Sequence, residues 1–230
     1  MRHDRGDDGN GGIIRSPQRA IVLPDKLVDI LAAEDYVSGI FVSDDLGPIP
    51  GTLPLSAIDL KGSAITPVPA ILVSFRSFST GCADPLTCTV EVADTRLQQG
   101  QGMHGAFSRA DTIIIGGAIG PDFRRGFIDP APTSNADIGK TVAKILNLYI
   151  RDTGRLVGRV LSEAMPNGKL PKWRTCIGES EQDAAGRRTV IQIQQVANTR
   201  YFDSAGYPGR TVGLCGFCVP EPKQRQCPPR

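Results

Sequence analysis

Two short, nearly continuous apolar runs, AILVSF (70–75) and TIIIGGAIG (112–120), constrain this chain more than any other feature. A strand with one wet face alternates apolar and polar residues. A run that stays apolar at successive positions predicts a strand covered on both faces, as in a parallel sheet flanked by helices. The second run stops at Gly120-Pro121, where the proline cannot continue a sheet ladder. SGIFVS (38–43) predicts a further short strand, and TCTVEVAD (87–94) an alternating one.

Two segments carry helical spacing. In PDKLVDILAAED, Pro24 suits the first helical turn, and Leu27, Ile30 and Leu31 follow the three–four spacing of an amphipathic face. In SNADIGKTVAKILNLY, Ser134 or Asn135 is a candidate N-cap and Asp137 falls in the first turn, where the helix dipole favours an anion. Ile138, Val142, Ile145 and Leu146 form its predicted apolar stripe. Beyond residue 155 the segments RLVGRVLSEA (155–164), RRTVIQIQQV (187–196) and GRTVGL (209–214) predict a small antiparallel β extension. Strands alternating with helices and followed by β segments argue for an α/β domain with a β-rich end. The expected division is a disordered leader over 1–12, an α/β core over 13–154, a β-rich extension over 155–214 and a Cys/Pro-rich disordered tail over 215–230.

Bulk charge excludes two partner classes. With 26 basic and 24 acidic residues the net charge is only +2, too balanced to draw the chain to nucleic acid or anionic lipid. No apolar run approaches the ~20 residues of a membrane span. The opening MRHDRGDDGNGG has no apolar h-region and is not read as a signal peptide. Six cysteines are many for a reducing compartment. Cys82 and Cys88 flank a short loop containing Pro85, a spacing that suits a disulfide across a hairpin; Cys176 stands alone in the sequence. Cys215 and Cys218 have C-x-x-C spacing, but Pro220 and Pro222 forbid the helix a redox pair would open, and a zinc ribbon lacks its second pair.

Only two histidines exist, His3 in the polar leader and His104 in GQGMHGAFSRADT, where flanking glycines allow close approach of a ligand. Asp44-Asp45 is an acidic loop pair, and Arg109, Arg124 and Arg125 are phosphate-compatible forks, but each reads more simply as a solvated surface group. Asp137 fits helix capping better than metal binding.

The stretch from Gly102 through Leu146 resembles the C-terminal part of type I phosphodiesterases and nucleotide pyrophosphatases, in the alkaline-phosphatase superfamily. His104-Gly105 matches a His-Gly pair after a Gly-rich loop, Gly120-Pro121-Asp122-Phe123 a turn after a strand, and Ser134 to Leu146 an acidic helix on the sheet. The segments around 24–62 and 71–88 resemble a bacterial branch of the same family, so the likeness runs from about Gly11 to Leu214. It implies the C-terminal part of an alkaline-phosphatase-like α/β domain with a parallel-rich sheet, flanking helices and a small β-rich extension. It also implies hydrolysis of phosphoric ester or anhydride bonds by two divalent ions, usually zinc, with a Thr or Ser nucleophile. By this likeness His104 is a zinc ligand and the substrate a phosphate ester or nucleotide.

The sequence departs from the family pattern in having no Asp-His-Gly motif and no match to the upstream nucleophile or acidic ligands. One matched donor cannot hold two ions, since zinc sites take three or four protein ligands. The expectation is therefore a chain that is inactive alone. The alternatives are a binding or assembly module that keeps the fold, or a partner of a separate chain carrying the N-terminal half. Cysteine usage and the family point to export, which this N-terminus does not support.

Overall fold

The computed structural model describes residues 23–60, 69–92, 104–149, 158–214 and 225–226. The expected disordered leader, a strand at Ile13-Ile14 and most of the tail lie outside the described residues. The chain is of mixed α/β class, and the strands among the described residues fall into three sheets.

Helix α1 (Leu23–Ala33) opens the described chain and leads into β1 (Val37–Val42), whose six residues are all buried. β1 sits at the centre of a three-stranded sheet between β2 (Leu53–Pro54), which it pairs in parallel, and β3 (Ile71–Phe75), which it pairs antiparallel. α1 covers this sheet with Val28 and Ala32, which join Val37, Ile40, Val42 and Ile71 in one apolar cluster. The face is rotated from the predicted one, because Ile30 is exposed. The expected strand at 70–75 is present, yet its partner runs antiparallel and only Ile71 and Ser74 are buried. The sheet is therefore not the parallel-rich one that the apolar run predicts.

A two-stranded ribbon of β4 (Ser77–Ser79) and β5 (Thr89–Glu91) follows, and the predicted Cys82–Cys88 disulfide closes its loop. The largest sheet lies after residue 170. β6 (Trp173–Glu179), β7 (Val190–Val196) and β8 (Thr199–Gly206) form an antiparallel meander, and β9 (Arg225–Gln226) adds in parallel to β6. Its order, β8-β7-β6-β9, leaves β8 at one edge. β7 answers the expected strand at 187–196. The other two expected β segments show no strand over their described residues: 158–164 is irregular with one 3-10 turn, and 209–214 is a series of turns. Tight turns at Gly209 and Gly213, both with positive φ, preclude an extended run there. β9 lies within the tail expected to be disordered, beside Cys176 and Ile177 of β6. Cys176 is disulfide-bonded, not isolated as its place in the sequence suggests.

The two larger sheets meet at a glycine contact. A Cβ placed on Gly39 of β1 would lie 2.8 Å from the Cα of Gly206, at the end of β8. Gly206 itself has φ +150, and a Cβ there would press on the Ser38 carbonyl and the Thr211 hydroxyl. With no side chains between them the strands come close enough for the Tyr207 amide to donate to the Ser38 carbonyl. Buried Thr189 makes a second stitch. Its hydroxyl accepts from the Ile40 amide at 3.3 Å and donates to the Gly51 carbonyl at 2.6 Å. Around these stitches Phe41, Leu53 and Leu55 pack with Cys176, Ile191, Ile193 and Ala205, so one apolar cluster draws on both sides of residue 155.

Helix α3 (Asn135–Ile145) forms where predicted, capped by Ser134, but its packing is inverted. Asp137, Thr141 and Ala143 are buried, whereas the predicted stripe residues Ile138, Val142 and Leu146 are exposed. The predicted strand at 112–120 is absent too: 113–119 is irregular, and Ile115 and Ile119 are 99% and 100% exposed. The described chain covers Ile113 and Ile114 by about half and leaves the rest of the run open.

Gly39→Ala is expected to lower stability by about 3 kcal/mol, because the added methyl meets backbone that cannot turn aside. Ala substitution at exposed Gly139, within helix α3 where the added methyl meets nothing, is expected to raise it by about 0.5–1 kcal/mol. Denaturant unfolding of both variants checks the contrast.

Candidate functional site

His104 lies on an exposed stretch that enters α2 (Arg109–Thr112). Three contacts hold that stretch. The Asp111 carboxylate accepts from the Gly105 and Ala106 amides, each at 2.7 Å through the same oxygen. Phe107 inserts edge-on between Phe41 of β1 and Phe202 of β8, with both ring centroids 5.3 Å away. Its carbonyl accepts from the Ala205 amide at 2.9 Å. Ser108 caps α2 and donates to the Glu91 carboxylate. Gly105 adopts φ +100 with open space where a side chain would stand, so the imidazole is presented on an unobstructed turn.

Glu91 and Asp111 bring two carboxylates near the loop. Burial pushes the Glu91 carboxyl above its usual range; the Ser108 hydroxyl opposes this and the Asp111 charge reinforces it. The Asp111 carboxylate is already engaged by two amides. Among the described residues, no group of three or more His, Cys, Asp or Glu side chains is arranged to hold a metal ion. His104 is thus not joined by two further such donors among the described residues, and no reaction step is routed through the two-zinc centre that the family resemblance implies.

The other sequence candidates have structural partners. Asp44 accepts from the Ser56 hydroxyl at 2.5 Å and the Ser56 amide at 3.1 Å, while Asp45 is exposed. Arg109 pairs with Asp203 at 3.0 Å, and Gln192 donates to the same carboxylate oxygen at 2.5 Å. Arg124 donates to the Glu163 carbonyl at 3.2 Å and lies over the Phe127 ring, while Arg125 is exposed. Asp137 is the capping-box residue of α3, accepting from the Ser134 amide at 2.9 Å. His3, Cys215 and Cys218 lie outside the described residues.

Asp137 also belongs to a polar cluster that the sequence reading missed. Its carboxylate accepts from the Arg159 amide at 2.7 Å and the Tyr201 hydroxyl at 3.0 Å. Arg159 in turn donates to the Tyr201 hydroxyl at 2.8 Å and the Pro132 carbonyl at 2.9 Å, and pairs with buried Glu163 at 2.5 Å. The Thr141 hydroxyl accepts from the Leu161 amide at 3.0 Å. Burial by itself would raise the Glu163 carboxyl, but hydrogen bonding to Arg159 holds it below its usual range. Asp129 beside it is raised, by burial first and by the Glu163 charge as well. The four-residue spacing of Arg159 and Glu163 was the available signal, masked by a segment that reads as a strand.

Compared with known proteins, the chain matches no protein-family model, no curated protein and no solved structure.

Two carboxylates give opposite pH signatures. Glu163 is depressed in the fold, so its contribution is present above the unfolded value of about 4.3 and lost as pH falls through its folded value. Glu163→Gln is expected to cost about 3 kcal/mol at pH 7, by stranding Arg159, and progressively less in acid. Glu91 is raised, so its stabilising effect holds below that unfolded value and is lost as pH rises through its folded value. Glu91→Gln should therefore stabilise relative to the parent at neutral pH and be nearly neutral in acid. Urea titrations of both variants across pH check the two signs.

Proposed function

We propose that the chain is the C-terminal portion of a metal-dependent phosphoesterase of the type I phosphodiesterase and nucleotide pyrophosphatase kind, on an alkaline-phosphatase-like α/β domain. The observation that carries this reading is the presented imidazole. His104 stands on a glycine turn pinned by Asp111 on one side and by Phe107 on the other. A metal-ligating histidine needs such a rigid support and an open approach. The order of motifs in the sequence supports the same reading: His104-Gly105, then Gly120-Pro121-Asp122-Phe123, then the helix capped by Ser134.

The reading stops short of turnover. The sequence has no Asp-His-Gly motif, and Asp111 spends its carboxylate on backbone amides. Phosphate esters or nucleotides are the substrate class of the complete enzyme, and this chain supplies one zinc donor toward it. A second reading, an assembly module that keeps a fold without its chemistry, is favoured by the uncovered apolar run at 113–119.

Zinc titration of the chelator-washed chain, followed alongside hydrolysis of bis-p-nitrophenyl phosphate, tests the proposal. The expected result is weak zinc binding, reduced at least about tenfold by His104→Ala, with no turnover. Zinc uptake indifferent to His104→Ala would remove the support for a metal-donor role. Two tightly held zinc ions with turnover would instead mean an active enzyme.

A further inference from the structure

The apolar run between α2 and the Gly120 turn is held at both ends, and the described chain covers only its first two isoleucines, each by about half. At its start, the Ile113 amide donates to the Arg109 carbonyl, and the Thr112 hydroxyl to the Asp203 carbonyl at 2.5 Å. Past its end, the Arg124 amide donates to the Ala164 carbonyl at 2.9 Å. Ile113 already has extended backbone, φ −79 and ψ 117. Residues 114–119 make no backbone hydrogen bond within the described chain, so their donors and acceptors are open. The run is thus a strand-length segment carried on fixed supports, with an edge that nothing guards. No charge falls between Asp111 and Asp122, and no proline before Pro121. Charges and prolines are the devices that ordinarily keep such an edge from pairing.

From these features we infer that residues 113–119 pair with the same residues of a second copy, as antiparallel strands about a two-fold axis. The area supports two copies. Ile113 and Ile114 are about half exposed and Ile115 and Ile119 fully, together about three whole isoleucines. That is on the order of 500 Å² of apolar surface, near the upper end of what a monomer leaves in one patch. Edge pairing alone leaves the side-chain faces open, so the contact that uses this area also packs the isoleucines of the two copies on one another. A two-fold that buries them doubles the patch to roughly 1,000 Å², the lower bound for a specific interface. Charge supports the same partner. An uncharged segment gives no pattern by which to select an oppositely charged chain, and a net charge of +2 sets little repulsion between copies. A copy also brings a strand of matching length and hydrophobicity, and an isologous contact closes after two subunits.

Association is read at 113–119 and zinc at His104, so failure of this inference and failure of the metal-donor reading are distinguishable. Sedimentation of the oxidised full chain over a concentration series should show monomer and dimer in equilibrium. Ile115→Lys and Ile119→Lys should each weaken the dimer by about 30-fold or more, through burial of an unpaired ammonium. Ile30→Lys, on the exposed side of α1, should leave it unchanged. Hydrogen exchange of the unaltered chain gives a second readout, in which the 114–119 amides become protected as concentration rises. A monomer at every concentration, a dimer indifferent to both lysines, growth past two copies, or unprotected 114–119 amides in the dimer each overturns the inference. Stoichiometric capture of a different chain on the run also overturns it.

Discussion

Everything in this fold hangs on the crossing of β1 and β8 at Gly39 and Gly206. Two backbones approach there with no side chain between them, and the Tyr207 amide reaches the Ser38 carbonyl across the gap. That contact sets the distance between the three-stranded and four-stranded sheets. It thereby sets the depth of the apolar cluster that Phe41, Leu55, Ile191 and Ile193 fill. Thr189 works at the same junction for a different reason. A buried hydroxyl that both accepts and donates satisfies backbone groups of β1 and of the Gly51 turn, groups that would otherwise be desolvated without partners.

The His104 loop inherits its position from this junction. Phe107 bridges a ring from each sheet, so the loop is registered to both. Asp111 then shapes the turn by accepting from two consecutive amides. An imidazole is thus offered to solvent on a rigid support while the Asp111 carboxylate serves the backbone. Among the described residues, ring packing and hydrogen bonds account for the geometry of this loop.

α3 illustrates a different compromise. Its first turn is bound through Asp137 to Tyr201 and Arg159, and its second through Thr141 to Leu161, so polar groups occupy the buried side. Buried ion pairs such as Arg159 with Glu163 contribute little net stability against desolvation, but they demand one geometry. The helix is therefore placed by hydrogen-bond direction, and its apolar stripe faces outward together with the isoleucines of 113–119.

Local order was legible wherever a short-range signal had one physical meaning. The cap at Ser134, the buried strand at 37–42, the strand at 190–196 and the Cys82–Cys88 bridge follow from turn chemistry, periodicity and loop length alone. His104 stood out by its glycine neighbours; it is exposed, on a turn that Asp111 holds. Which way a strand pairs was not legible, because an apolar run such as 71–75 suits either direction and only its partner decides. Nor was the fate of 112–120 or of the α3 stripe, since hydrophobicity states that a face requires cover without saying what provides it. The polar cluster of Asp137, Arg159, Glu163 and Tyr201 joins residues up to 64 positions apart. Only the tertiary structure brings such groups together, because each side chain's hydrogen bonds are directional and the sequence carries no record of direction.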